Sequence, residues 1–192
     1  MDAGWTERNL SNGTRMQYLL IVIFAAAYPL LHIFNGIVFK FAEITPHIGL
    51  IYLPSFLRLF NVLVLKPRDG TLATLLGGVL LMEHFNDSTI VSLLNVVCSA
   101  GGPLVALYFF KLYHDREVDL TSLRDLTALT LIYAPANAML HHLMWVFLDP
   151  GQLAVPEQVL WMTLGDIFGA LIGAYMLKIS VRWYKKRTMD ID

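Results

Sequence analysis

The stretch TLATLLGGVLLMEHF, residues 71–85, decides the fold, because the chain crosses a membrane an even number of times if it spans and an odd number if it does not. At 15 residues it falls short of the roughly 20 that a perpendicular helix needs. The placement of positive charge argues that it crosses. Working outward, five further apolar stretches cover residues 18–39, 48–65, 89–113, 126–148 and 159–179. Twelve of the 14 Lys and Arg residues fall in every second gap. Arg8 and Arg15 precede the first stretch, Lys66 and Arg68 follow the second, and Lys111, Arg116 and Arg124 follow the fourth. Lys178, Arg182, Lys185, Lys186 and Arg187 end the chain, whereas the alternate gaps hold only Lys40. Cationic loops resist translocation, so the alternation predicts six spans with both termini cytoplasmic. A stretch 71–85 that turned back within the membrane would strand Lys111, Arg116 and Arg124 outside.

Composition agrees. With 56% hydrophobic residues, 15% charged residues and a mean hydropathy of +0.58, the chain has too much apolar surface for an ordinary soluble domain. The expected fold is all-α, a polytopic membrane helix bundle of six transmembrane helices in a bacterial inner membrane. It divides into a cytoplasmic segment 1–16, a transmembrane domain 17–180 and a basic cytoplasmic tail 181–192. The 192 residues leave no room for an attached catalytic or DNA-binding module. Basic residues spread over several loops, with a net charge of -1, argue against a nucleic-acid partner. The first stretch is too long for a signal peptide and lacks a small-residue cleavage site.

Local signals refine this outline. Pro54 interrupts the second stretch, and Lys66 to Asp69 followed by Gly70 read as a tight polar turn. Gly101, Gly102 and Pro103 weaken the fourth helix and let another backbone approach. Asp119 or Ser122 is the N-cap expected for the fifth, with Asp125 at capping-box spacing from Ser122. Asp149, Pro150 and Gly151 end that helix. Trp145 and Trp161 read as outer interfacial aromatics, and Trp183 and Tyr184 beside Lys185, Lys186 and Arg187 as a cytoplasmic anchor in membrane lipid. Cys98, the single cysteine, reads as a packing residue.

Polar residues within the spans carry the functional signal. Counted at about 1.5 Å per residue, Arg58 and Asp166 both lie about 10 to 15 Å below the outer surface. An isolated charge at that depth costs about 2.5 to 3.5 kcal/mol, so an Arg58 to Asp166 ion pair, or one wet cavity lined by both, is expected. His32, Asn35, His47, Glu83, His84, Asn95, Asn137, His141 and His142 crowd the same outer half, which suggests a pocket open to the outside. The candidate ligand- or partner-binding residues are therefore Arg58, Asp166, His32, Asn95, Asn137, His141 and His142. Gly165, Gly169 and Gly173 recur every four residues and mark a close helix-packing stripe. Neighbouring His141 and His142 point about 100° apart, and no metal-ligand or nucleophile motif occurs, so neither a metal, a cofactor nor an enzymatic activity is expected.

Two segments carry a resemblance. Ile51, Tyr52, Leu53, Pro54, Ser55, Phe56, Leu57 and Arg58 form one, and WMTLGDIFGAL from Trp161 to Leu171 the other. Together they resemble the membrane-associated sensor (MASE-type) integral membrane domains, over about a third of the chain. Members of that family usually carry more spans and a cytoplasmic output domain, which this chain departs from. The resemblance implies a non-catalytic sensory or accessory module that binds a small ligand or a membrane-protein partner. In length and architecture the chain is also similar to the substrate-binding S components of energy-coupling-factor vitamin transporters. That likeness implies a solute-binding transport subunit, with Ala25, Ala26 and Ala27 as its docking face. The third expectation is a structural subunit of a larger membrane complex.

Overall fold

The computed structural model describes the backbone of residues 3–45, 48–84, 87–148 and 155–189. His47, the break at Asp149, Pro150 and Gly151, and the side chains of Tyr184, Lys185, Lys186 and Arg187 lie outside the described residues. The chain is all-helical. Helix α1 covers Ala3–Val38, α2 Pro54–Val64, α3 Lys66–Val79, α4 Thr89–His114, α5 Leu123–Leu148 and α6 Pro156–Met189. A two-stranded antiparallel hairpin, β1 (Glu43–Thr45) and β2 (Ile48–Gly49), joins α1 to α2.

Among the described residues, four segments are long and apolar enough to cross a membrane: Gly13–Val38, Thr89–His114, Leu123–Leu148 and Pro156–Ser180, with mean hydropathies of 1.9, 2.0, 1.2 and 1.5. Their outward faces are apolar, with Ile37 74% and Phe147 82% exposed, as lipid contact requires. Residues 3–16 form the N-terminal part of α1, and α6 runs on to Met189.

The second apolar stretch departs from a simple helix. Proline lacks an N–H and its ring clashes with the carbonyl four residues back, so the helix starts at Pro54 rather than at residue 48. The chain before it, from Gly49 to Leu53, lies along the glycine stripe of α6. A Cβ on Gly165 would collide with the Gly49 carbonyl, one on Gly169 with the Tyr52 carbonyl, and one on Gly173 with the Phe56 ring. The stripe thus packs against this chain's own backbone. Contacts advance together, 49 on 165, 52 on 169 and 56 on 173, so the segment and α6 run parallel and enter from the same face. The Tyr52 N–H donates to the Gly165 carbonyl at 3.1 Å, and the Leu53 N–H donates to Asn35 Oδ1 at 2.8 Å. Non-helical backbone is tolerated at membrane depth only when protein satisfies it in this way.

The reversal after α2 is tighter than the expected polar turn at residues 66–70. It occurs at Leu65 and Lys66, the latter at φ 70°, and Pro67, Arg68, Asp69 and Gly70 already form the first turns of α3. Gly70 permits this, because a Cβ there would strike the Asn61 carbonyl. Asn61 Nδ2 donates to Thr74 Oγ1 at 3.0 Å and ties the two helices. At about 1.5 Å per residue neither short helix spans a roughly 30 Å core alone. A non-helical lead-in, residues 49–53, precedes α2, and a turn with the 3-10 segment Met82–His84 follows α3.

Elsewhere the caps follow the local signals. Ser122 Oγ accepts the Asp125 N–H at 3.3 Å, and Ser88 Oγ accepts that of Val91 at 3.4 Å. Asp125 also takes a two-pronged hydrogen bond from Arg116. Gly102 seats Asn137 of α5, whose Oδ1 would stand 2.7 Å from an added Cβ. The main apolar core, Leu59, Phe110, Leu129, Tyr133 and Ala170 among others, fills the space between α2, α4, α5 and α6. Trp145 belongs to the interior, at 1% exposure, and not to the outer interface; Trp161, at 38%, is partly exposed. Asn95 on α4 draws the indole inward by accepting its N–H at 2.8 Å.

The glycine contacts give a graded expectation. Gly165→Ala and Gly169→Ala strike backbone carbonyls and cost at least about 3 kcal/mol, whereas Gly173→Ala strikes the root of the Phe56 side chain, which gives only as its backbone shifts, and costs about 2–3 kcal/mol. Gly13→Ala, with nothing within 4 Å, gains about 0.5–1 kcal/mol. Thermal unfolding of the four variants in detergent checks this order.

Candidate functional site

Each helix brings a polar stripe to one place. Tyr28, His32 and Asn35 on α1 are spaced at i, i+4 and i+7; Ser92, Asn95 and Ser99 on α4 at i, i+3 and i+7. His141 and Trp145 on α5, and Met162 and Asp166 on α6, each add an i, i+4 pair, and Arg58 and Gly78 come from α2 and α3. These spacings put each set on one helix face. All of these residues line one cavity of about 420 Å³. Its rim carries Lys40, Glu43 and Thr45 from the segment joining α1 to α2. The C-terminal halves of α1, α3 and α5 meet the N-terminal halves of α2, α4 and α6 there. The six described helices thus alternate in direction around a cavity at one end.

Arg58 is 3% exposed and sits one turn into α2. Its Nε donates to the Tyr28 hydroxyl at 2.9 Å and its Nη2 to the Tyr52 hydroxyl at 3.2 Å. The guanidinium carbon also stands 5.6 and 5.1 Å from the centroids of those two rings, within cation-π range. Nη1 has no hydrogen-bond partner among the described residues. Asp166 is fully buried; its Oδ2 accepts from Asn137 Nδ2 at 2.7 Å, while Oδ1 has no partner among the described residues. Its backbone carbonyl accepts from Ser55 Oγ at 2.8 Å, which ties α6 to the start of α2.

Arg58 and Asp166 do not form an ion pair: no side-chain nitrogen of one comes within 4.0 Å of a carboxylate oxygen of the other. Tyrosine hydroxyls hold the cation and an asparagine amide holds the anion, so the two charges share a cavity wall without neutralising each other directly.

The other candidates divide. His32 Nδ1 lies 3.2 Å from the Tyr52 hydroxyl, and its ring stands edge-on to His84 at 5.3 Å. His141 Nδ1 donates to the Asn137 carbonyl at 2.9 Å, which leaves Nε2 as the acceptor for Ser99 Oγ at 3.3 Å. His32, Asn95 and His141 border the cavity. Asn137 and His142 stand outside the lining: Asn137 braces Asp166 from behind, and His142 bonds the Ala138 carbonyl at 2.9 Å. Tyr28, Tyr52, Ser92 and Ser99 are site residues that the sequence analysis did not single out. The spacing of hydroxyl and amide groups on α1 and α4 is the signal that carries Tyr28, Ser92 and Ser99; Tyr52, in the segment before α2, has no such spacing.

The fold and its cavity define the class, an all-helical integral membrane protein with a half-open cavity between its helices, bordered by both apolar and charged side chains. No family model, curated protein or solved structure matches the chain.

The hydrogen bonds around Arg58 lead to a comparison of stabilities. Tyr28→Phe and Tyr52→Phe each leave a buried cation short of an acceptor and cost about 1.5–3 kcal/mol. Arg58→Met removes the cation itself and costs less than the double tyrosine variant. Thermal unfolding that ranked Arg58→Met as the most damaging change would mark Arg58 as a structural clip.

Proposed function

We propose that this chain is a non-catalytic, six-span protein of a bacterial inner membrane, with both termini cytoplasmic, that binds a small solute from the outer side in a sensory or accessory role. The observation that carries the reading is the cavity of about 420 Å³ bordered by two buried charges, Arg58 and Asp166, each keeping a polar atom without a partner among the described residues. A buried charge is costly, and a protein that needed only helix contacts gains nothing by keeping two unpaired ones. The volume lies in the range of small-molecule pockets. The six-pass orientation is supported by the charge alternation and by the parallel course of residues 49–56 and α6.

A substrate-binding transport subunit is the second reading, favoured by the same outward cavity. As a docking face the three alanines are not equivalent: Ala25 packs against Gly77 of α3, Ala27 is half-buried, and Ala26 is exposed. A purely structural subunit leaves the cavity unused.

Protein extracted from membranes in mild detergent and denatured for mass spectrometry is expected to release a small solute, which Asp166→Ala loses while remaining folded. Recovery of a stoichiometric membrane partner with no solute in either form contradicts the reading. For orientation, Glu43→Cys in a Cys98→Ser background reacts with an impermeant thiol reagent added outside, and Thr121→Cys reacts only after permeabilisation. The reverse pattern overturns the topology.

A further inference from the structure

The charges on the cavity wall limit what it can hold. Among the described residues, four formally charged side chains line it: Lys40 and Glu43 at the rim, Arg58 and Asp166 in depth. Their charges cancel. An occupant with a net charge would bring that charge into a low-dielectric site where nothing is left over to balance it. An occupant without any charge would leave Arg58 Nη1 and Asp166 Oδ1 with weaker neutral hydrogen bonds where charge-assisted ones are available. The complementary molecule carries both signs, with an anionic acceptor for the guanidinium and a cationic donor for the carboxylate.

The rest of the lining selects shape. Tyr28, His32, Tyr52, His84, His141 and Trp145 all contribute rings. Aromatic faces and edges favour a flat apolar or heteroaromatic body over a flexible chain. At roughly 30 Å³ for each water-sized group, 420 Å³ accommodates a molecule of about 15 heavy atoms.

Building on the solute-binding reading, the geometry points to a net-neutral, ring-bearing zwitterion as the ligand class, with its carboxylate on Arg58, its ammonium on Asp166 and its ring among the tyrosine, histidine and tryptophan side chains. Aromatic amino acids are the simplest members.

Three probes of nearly equal size separate the possibilities by charge: L-tryptophan as the zwitterion, L-tryptophanamide as the cation and indole-3-propionate as the anion. Titration calorimetry on the purified full chain is expected to give binding of L-tryptophan at least about tenfold tighter than of either analogue. Arg58→Gln weakens L-tryptophan and shifts preference toward the amide; Asp166→Asn shifts it toward indole-3-propionate. Equal binding of all three probes, or tighter binding of either charged analogue to the unaltered chain, overturns the inference without requiring any variant to fold. If none of the probes binds but mass spectrometry finds a retained solute, the ligand class is wrong and the solute-binding reading stands. Absence of both defeats the two together.

Discussion

The structure depends on a seat for peptide backbone. Gly165, Gly169 and Gly173 leave α6 without side chains along one line, and the carbonyls of Gly49 and Tyr52 followed by the Phe56 ring occupy it. A helix would have needed no such surface, since its own hydrogen bonds satisfy its backbone. Here the extended residues borrow acceptors from Gly165 and Asn35 instead. The consequence is positional: Pro54 can begin α2 partway down, and Arg58 arrives at the level of Asp166 with its side chain turned toward Tyr28 and Tyr52 rather than toward lipid.

Holding two charges at that level without joining them is the chemical outcome. A direct ion pair would have closed the space between α2 and α6. Tyr28 and Tyr52 on one side and Asn137 on the other take up part of each group's bonding capacity and keep the pair apart. The cavity therefore has polarity at its floor and aromatic walls above it. Asn137 is itself positioned by Gly102, where α4 comes too close for any side chain. Small residues on α4 and α6 thus set the place of the charged group on α6 and of the one on α2.

Much of this was legible in the sequence. Four long apolar runs gave the helical class and the membrane, because hydropathy over 25 or 26 residues needs no tertiary context. The glycine stripe, and the meeting of Arg58 and Asp166 at one cavity, were readable from spacing alone. What spacing does not reveal is azimuth, and so two residues at one level could be paired on paper while facing different neighbours. The start of α2 was hidden for another reason. Residues 48–53 are as apolar as a helix, and what holds 48–52 out of a helix is a partner surface far along the chain. Tyrosines were counted as apolar bulk, so the hydroxyls that hold Arg58 went unweighed, and Trp145 was assigned to an interface by habit of type when Asn95 draws it inward.

The most direct test of the backbone seat is a cross-link across it. A Cβ placed on Gly173 lies 2.5 Å from that of Phe56, so the pair Phe56→Cys and Gly173→Cys, in a Cys98→Ser background, needs about 1 Å of opening to reach disulfide geometry. Gly78→Cys with Val96→Cys, where the corresponding separation is 3.3 Å, reports on α3 and α4 and serves as the control. Mild oxidation in native membranes should close both pairs. Closure of the control pair with no cross-link between positions 56 and 173 would contradict the account.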